Sequence, residues 1–253
     1  MDRLIFTALN TIQYAQEDNV IRSNNLANAT VPGFRRDIEP KEVGTGFLAA
    51  IEEFETRAFS IRAGMNRFSR EAGHLDYTEQ PTDISVSGTG FFIIEPVSGQ
   101  GAALSRRGDF RINTDGQLID GAGNILLNDG LQPIVLPPHR ELVVGDDGLV
   151  SIEPLEGEPG VLEEIGQIGT TLAVDADLKK FPDGHIRLRD GGIPEIDQET
   201  RMVQGYLEGS NVNTVQELIE NMQRQRTFEL NVRMISVAKE IDEAGTSVLR
   251  MPN

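Results

Sequence analysis

The sequence predicts an α+β fold, mainly β, with an antiparallel β domain in the middle of the chain and long N- and C-terminal helices that pair as a coiled coil. Apolar residues separated by alternating steps of three and four occur near both ends of the 253-residue chain, and this spacing is typical of a coiled-coil seam. Between the ends, short apolar runs alternate with Asp-Gly and other turn sequences, which indicates antiparallel strands joined by hairpins.

The C-terminal helix is predicted to begin at Thr214 and to run towards Pro252. Thr214-Val215-Gln216-Glu217 fits a capping box, and the roughly 35 residues that follow without Pro, at ~1.5 Å each, make a rod about 50 Å long. The seam changes phase once, across residues 223–226, and its apolar face is wider than one partner helix would cover. Its positions are Val215, Leu218 and Met222 before the change and Leu230, Met234, Val237, Ile241, Ala244 and Val248 after it, with Phe228 beside them.

The N-terminal helix is predicted to be capped by Asp2 and to end near Thr30, because Pro32 disfavours a helical conformation at the residue before it. A polar position in a seam costs stability but fixes the register of a helix pair. Two such helices at opposite ends of one chain predict antiparallel pairing with each other and then with further copies. The seam runs through Ile5, Ala8, Ile12, Ala15, Asn19, Arg22 and Leu26, and only its first half is apolar.

Strands and tight turns are predicted for the middle of the chain. Ile84-Ser85-Val86-Ser87 alternates between apolar and polar residues, and Phe91-Phe92-Ile93-Ile94 is a short apolar run. Asp147-Gly148 and Asp183-Gly184 each precede an apolar segment, and Gly readily adopts the positive φ that a hairpin turn requires. The predicted organisation is a terminal helical coiled-coil domain (residues 1–33 and 212–253), a connecting linker-like segment (34–80 and 195–211) and an antiparallel β domain (81–194).

The charge of the chain limits its partners. There are 40 acidic and 23 basic side chains, a formal net charge of -17, which disfavours binding to nucleic acid or to an anionic membrane. No window reaches the ~18 consecutive apolar residues of a membrane span, so no membrane insertion is expected. The segment from Met1 to Ile5 lacks the basic and apolar regions of a cleavable secretion signal.

No pattern in the sequence indicates catalysis, a cofactor or a metal ion. Gly88-Thr89-Gly90 lacks the third Gly of a dinucleotide fingerprint and precedes a predicted strand, whereas a bound pyrophosphate would need a helix. The Asp and Asn residues between positions 113 and 129 lack the spacing of a calcium loop and are typical of turns. The chain has no Cys, and its three His residues are far apart. We therefore predict that the protein is not an enzyme and uses no cofactor.

Both ends of the chain resemble the signature segments of the flagellar rod and hook protein family. The run SNNLANATVPGFR from Ser23 to Arg35 is similar to the family's SNNLAN motif with its following Gly-Phe and basic residue, and EGSNVN from Glu208 resembles the C-terminal signature together with QRTFE from Gln225. The run LSRRGDF from Leu104 is similar to a Tyr-Thr-Arg-x-Gly-x-Phe box in the family's β domain, with Leu-Ser in place of Tyr-Thr. The signature residues are Asn24, Asn25, Leu26, Ala27, Asn28, Gly33, Phe34, Ser210, Asn211 and Val212.

This resemblance implies a structural subunit of the bacterial flagellar basal-body rod, most similar to the members that build the proximal rod. Such a subunit self-assembles helically into the tubular drive shaft that crosses the periplasm and transmits torque. The partners that the resemblance implies are other copies of the chain, other rod proteins and the flagellar type III export apparatus, which exports its substrates without cleaving a signal peptide. The apolar seam residues of both helices, together with Phe228, are the expected assembly interface.

Three alternatives follow from the same sequence. The first is a distal-rod subunit of the same family, which has a similar length and domain order. The second is a periplasmic β module that binds cell-wall glycan, but a sugar-stacking platform is hard to build without Trp and with only three Tyr residues. The third is a peptidoglycan hydrolase, which would require a cleft that contains a carboxylate of raised pKa.

Overall fold

The computed structural model describes residues 2–43, 61–63 and 66–249, and the chain divides into two compact units. The first unit contains Met1–Ala27, Asp37–Met65 and Asn213–Asn253, and the second contains Asn28–Arg36 and Asn66–Val212. Each unit therefore combines segments that are distant in the sequence.

The described part of the first unit contains two helices and three short strands. Helix α1 spans Asp2–Ala27 and helix α2 spans Thr214–Leu249, while the strands are β1 (Asp37–Ile38), β2 (Lys41–Val43) and β3 (Ile61–Ala63), of which β2 and β3 pair antiparallel. Helix α2 is capped by Asn213, whose Oδ1 accepts a hydrogen bond from the backbone N of Gln216 at 3.1 Å. The cap is therefore one residue earlier than the predicted capping box. Neither described helix is both long enough and apolar enough to span a bilayer.

The prediction that the two helices form a coiled coil is wrong. The seam residues of α2 are exposed instead of packed against α1, with Val215 64%, Met222 59% and Leu230 57% accessible. The contact between the helices is centred on charged side chains, and Arg22 of α1 bonds Glu217 and Glu220 of α2. The chain keeps the predicted mainly β, α+β character, but without the coiled coil.

The distribution of apolar residues around α2 explains this difference. Ile219 and Val232 are 51% and 46% exposed and lie off the predicted seam, so the apolar residues do not form one narrow stripe. Along the second half of helix α1 the fully buried residues are Asp18, Arg22 and Asn25, whereas the apolar Ile21 is only half-buried. Buried charges require partners of opposite charge, and this requirement rather than the apolar spacing decides how the helices meet.

The second unit is built from short antiparallel strands. Its main sheet has eight strands in the order β16-β17-β8-β7-β11-β10-β9, with β15 also paired to β7, and smaller sheets pair β12-β13-β14, β18-β6 and β19-β5. The strands are β4 (Arg67–Phe68), β5 (Leu75–Tyr77), β6 (Ile84–Ser87), β7 (Phe91–Glu95), β8 (Ala103–Ser105), β9 (Arg111–Ile112), β10 (Leu118–Ile119), β11 (Ile125–Leu126), β12 (His139–Val144), β13 (Leu149–Pro154), β14 (Glu163–Gln167), β15 (Thr170–Thr171), β16 (Leu178–Lys180), β17 (Ile186–Leu188), β18 (Arg201–Gln204) and β19 (Tyr206–Glu208).

Strand β7 lies at the centre of the core and is buried on both faces. Phe92 and Ile94 pack into one apolar cluster with Phe110, while Phe91 and Ile93, which point to the opposite face, pack into another with Leu104. A strand that is covered on both sides needs apolar residues at every position rather than at alternate ones. This explains why the sequence has an unbroken apolar run at this point.

The two Asp-Gly turns join strands as the sequence predicts. Gly148 has a φ of +83° between β12 and β13, and Gly184 has a φ of +84° between β16 and β17. Both strand pairs are antiparallel. The middle of the chain is therefore a set of hairpins whose turns depend on Gly.

We predict that His185 makes the second unit less stable in mild acid. Burial lowers the pKa of this imidazole below its ordinary 6.5, with Arg187 acting in the same direction against the opposing effects of Asp183 and Asp120. The unfolded chain therefore binds a proton at a pH where the folded chain does not, so the unfolding free energy falls as the pH decreases through and below 6.5.

Replacing His185 with Gln removes this contribution, and the unfolding free energy then changes less between about pH 7.5 and about pH 5.5. Urea denaturation at the two pH values measures the difference. His74→Gln is the matched control, because His74 is 69% exposed. An equal pH dependence in His185→Gln and in the unmodified chain would contradict the prediction.

Candidate assembly site

A buried cluster of three charged residues joins the two signature segments within the second unit. Arg35 Nη2 lies 2.8 Å from Glu208 Oε1, and Arg106 Nη1 lies 2.9 Å from Glu208 Oε2, with all three side chains at most 2% exposed. We call these three residues the joint cluster. Arg35 ends the N-terminal signature, Glu208 begins the C-terminal signature, and Arg106 belongs to the β-domain box. All three residues lie in motifs that are recognisable in the sequence, but their contact was not predicted.

The joint cluster places two guanidinium groups on one carboxylate. Burial lowers the pKa of Arg106 to about 10, against the attraction of Glu208, and burial likewise lowers the pKa of Arg35. Backbone groups add further hydrogen bonds, although the Nε atoms of Arg35 and Arg106 are buried without a hydrogen-bond partner. Arg106 donates hydrogen bonds to the carbonyls of Val86 and Gly88, while Glu208 Oε1 accepts one from the backbone N of Gly73. Glu208 therefore holds three separate parts of the chain by its side chain alone.

Hydrogen bonds between the two signature segments surround the joint cluster. The backbone N of Gly33 donates to the carbonyl of Glu208 at 2.7 Å, and the backbone N of Asn211 donates to that of Phe34 at 3.3 Å. The Asn211 side chain accepts from the backbone N of Arg36 at 2.7 Å and donates to the carbonyl of Glu71 at 2.7 Å. The structure thus brings Gly33, Phe34 and Asn211 together, although they are far apart in the sequence.

Gly33 lies where no other residue fits without strain. Its φ is +67°, and a Cβ atom built on it would lie 2.2 Å from the backbone carbonyl carbon of Arg106. A left-handed φ alone disfavours other residues, and here the close approach of a second backbone segment adds a steric clash. The Gly of the signature therefore has a physical explanation in the packing of the joint cluster.

The asparagines of the signature have a separate role in the first unit. Asn25 of α1 is fully buried, and its side chain donates to the carbonyl of Asp37 at 3.0 Å and accepts from the backbone N of Asp37 at 2.8 Å. Asn24 donates to the Asp37 carboxylate at 2.7 Å. Leu26 and Ala27 are exposed, Asn28 and Val212 are half-buried, and Ser210 is buried.

Most of the predicted assembly residues of α2 are accessible in the single chain. Leu218, Met234, Val237 and Ile241 are between 47% and 55% exposed, in addition to the three more exposed residues named above. Ala244 is also exposed, whereas Phe228 and the α1 residues Ile12 and Ala15 are half-buried. The side chains of Ile5, Ala8 and Val248 lie outside those that the structure describes. The accessible residues form an apolar surface along α2.

A group of charged residues, which the sequence analysis did not predict as a contact, joins α1 to α2. Arg22 pairs with Glu39, Glu217 and Glu220, and Arg224 pairs with Asp18 and Glu39. We call these six residues the polar clamp. Burial lowers the pKa of Arg22, but the hydrogen bond to Glu220 and the nearby carboxylates outweigh it and raise the pKa overall.

A groove lies beside the polar clamp on the same pair of helices. It has a volume of about 390 Å³ and is bordered by Ala15, Gln16 and Asn19 of α1 and by Asn221, Arg224, Gln225 and Phe228 of α2. The lining is mostly amide groups, with one aromatic ring. Among the residues that the structure describes, no group of three or more His, Cys, Asp and Glu residues is placed to hold a metal ion.

Comparisons with known proteins agree with the signature segments. Residues 203–248 match the family model described as the flagellar basal body rod FlgEFG protein C-terminal region, and residues 85–152 match the flagellar hook protein FlgE/F/G D1 domain. A flagellar basal-body rod protein FlgF from Salmonella typhimurium is 26% identical over 258 residues, which cover 99% of this chain and 100% of the relative. Over nearly its whole length, the chain is thus similar to flagellar basal-body rod proteins.

Two further flagellar rod proteins are similar to the chain over nearly the same length. FlgF from Escherichia coli is 27% identical over 245 residues, which cover 93% of this chain and 94% of the relative. FlgG from Bacillus subtilis is 27% identical over 260 residues, which cover 95% and 97%. The similarity therefore includes the helices at both ends as well as the β domain.

We predict that the second unit is strongly destabilised when Glu208 loses its charge. Glu208→Gln keeps the shape of the side chain but leaves Arg35 and Arg106 buried without a negative charge, which lowers the unfolding free energy by about 3–5 kcal/mol. Urea denaturation measures this loss. Glu158→Gln is the control, because Glu158 is exposed in the loop between β13 and β14 and should change stability by less than about 0.5 kcal/mol. Equal effects of the two substitutions would contradict the prediction.

A second prediction concerns Gly33, the signature glycine, and uses Gly99 as its control. Gly99 also has a positive φ, +69°, but no atom lies within 4 Å of an added Cβ, so Gly99→Ala tests the cost of the backbone conformation alone. We expect Gly99→Ala to lower the unfolding free energy by about 1–2 kcal/mol and Gly33→Ala to lower it distinctly more, because its Cβ would overlap Arg106. Thermal denaturation of both variants checks this, and similar losses would show that the close approach at Gly33 has no energetic importance.

Proposed function

We propose that this chain is a structural subunit of the flagellar basal-body rod, which assembles helically with further copies and with other rod proteins. The observation that carries the proposal is the joint cluster, where Arg35 of the N-terminal signature and Glu208 of the C-terminal signature meet at 2.8 Å. A rod subunit must return both chain ends to one place so that both terminal helices can join the same assembly. The names of the FlgF and FlgG relatives support the same role.

The apolar surface of α2 is the part of the subunit that we assign to assembly. Exposed patches of this kind on a single chain mark interaction sites. At ~25 cal/mol per Å² of apolar surface removed from water, a few hundred Å² per subunit contributes on the order of 5–10 kcal/mol. Several neighbours are needed because the apolar face of α2 is wider than one partner helix would cover, and a helical assembly provides them.

The subunit's position within the basal body is part of the proposal. We place it in the proximal rod, since its length, its Thr-Val-Pro-Gly-Phe-Arg run and its full-length similarity to FlgF fit that position, with the distal rod as the alternative. We also propose that the rod crosses the periplasm and that the type III export apparatus delivers the chain without cleavage. Mass spectrometry of subunits from purified basal bodies tests both points. A shortened N-terminus would contradict export without cleavage, and a subunit found only in fragments of the distal rod would contradict the proximal position.

A module that binds cell-wall glycan is the second candidate, and one observation bears on it. Tyr77 is 64% exposed on β5 and its ring lies 5.0 Å from that of Tyr206 on β19, with an angle of 44° between the planes. Two tilted rings do not make the flat platform on which a sugar face stacks. The rod proposal therefore has the stronger physical support.

We predict that a charge on the apolar surface of α2 prevents assembly without unfolding the subunit. Leu230→Glu places a carboxylate where a neighbour must exclude water, which raises the subunit concentration needed for assembly by about tenfold or more. Sedimentation and electron microscopy of the purified full chain, at increasing concentration, measure this threshold. The melting temperature of the dilute subunit should hardly change, because Leu230 is 57% exposed.

Gln225→Glu is the matched control for this experiment. Gln225 is exposed on the same helix, and at about 100° per residue it lies about 140° around the helix from Leu230, so the substitution adds the same single negative charge away from the position tested. It should leave the assembly threshold close to that of the unmodified chain. Assembly of Leu230→Glu at the unmodified threshold would contradict the assignment of this surface.

A further inference from the structure

The charges of the polar clamp are arranged in an order that distinguishes one pairing of the helices from others. Along α1, Asp18 precedes Arg22 by four residues, and along α2, Glu217 and Glu220 precede Arg224 by seven and four residues. Arg22 meets Glu217 and Glu220, while Asp18 meets Arg224. The helices therefore run antiparallel at this contact, with each positive charge opposite a negative one.

We propose that the polar clamp selects the register in which α1 and α2 pair. A shift of α2 by two turns brings Arg224 to the position of Glu217, where it faces Arg22. The opposite shift brings Glu217 to the position of Arg224, where it faces Asp18. Both shifts place like charges together, and a shift of four residues that brings Glu220 to the position of Arg224 does the same.

The burial of three clamp residues makes this discrimination strong, while Glu39, Glu220 and Arg224 are 22%, 29% and 36% exposed. The side chains of Asp18 and Glu217 are each 1% exposed, and that of Arg22 is 7% exposed. Two like charges at the surface would turn away from each other into water, but buried ones cannot. Glu39 strengthens the selection because its carboxylate contacts both Arg22 and Arg224. It can bind both cations only in a register that places these two arginines next to each other.

The apolar residues of α2 cannot select the register in this way. They recur at several spacings along the helix, and those named above are about half exposed or more, so an apolar partner can slide by a turn and still find similar contacts. We therefore assign two different tasks to two faces of α2. The charged face fixes its own α1, and the apolar face remains for another copy, the second assignment resting on the proposed rod function.

Spin labels on the two helices test the proposed register directly. The chain has no Cys, so Asn19→Cys and Gln225→Cys introduce two unique labelling sites, both exposed and beside the clamp. Pulsed electron resonance on the dilute full chain then gives the distribution of distances between the labels. A slip of two turns moves one helix along the other by about 10 Å, which this method resolves.

The expected results are specific to the clamp. The labelled chain should give one narrow distance distribution, and Arg224→Glu should broaden it or shift it by about 10 Å, since the introduced carboxylate would face Asp18 and Glu39. Adding Asp18→Arg to Arg224→Glu exchanges the charges of the pair and should restore the narrow distribution. Arg226→Glu makes the same change in charge at an exposed position of α2 and should leave the distribution unchanged.

Two results would overturn the proposal. One is an unchanged distribution in Arg224→Glu, and the other is a double variant that remains helical by circular dichroism but does not recover the narrow distribution. If Arg224→Glu loses helix content, recovery by the double variant still decides the question. Because the labels report on the dilute subunit, the register is measured separately from assembly, so a failure of the rod proposal would leave this result unaffected.

Discussion

The second unit depends on the burial of one carboxylate between two guanidinium groups. A buried ion is tolerated only when charges and hydrogen-bond donors surround it, and Glu208 obtains these from Arg35, Arg106 and the backbone of Gly73. If Glu208 is absent, both guanidinium groups are left without a carboxylate partner in a site closed to water. The arrangement therefore depends on three segments at once, namely the N-terminal signature, the β-domain box and the C-terminal signature.

The same rule governs the first unit, although the elements there are helices instead of strands. Arg22 and Arg224 are surrounded by the carboxylates of Asp18, Glu39, Glu217 and Glu220. Such clusters contribute little net stability because of the cost of removing the charges from water, but they reject alternative arrangements. In both units a cluster of charged side chains thus joins segments that are distant in the sequence, and in the second unit strand pairing and apolar packing also join such segments.

The sequence was sufficient for some of these features and insufficient for others. The mainly β character, the hairpins at Gly148 and Gly184 and the family could be predicted, because turn chemistry and signature motifs are local. The coiled coil could not be judged correctly, since a heptad spacing shows which residues are apolar but not what covers them. The partners of Glu208 could not be found either, because Arg106 is 102 positions away and the sequence does not distinguish it from the other Lys and Arg residues, 23 in all.

The helix α2 inverts the usual distribution of residues, because its charged Glu217 is buried and its apolar Val215 and Met222 are exposed. In a subunit that works alone this arrangement would be a liability for aggregation. In a subunit that assembles it separates two requirements. Apolar burial supplies free energy but little direction, whereas paired charges supply direction but little net free energy. A rod needs both, and α2 provides them on two different faces of one helix.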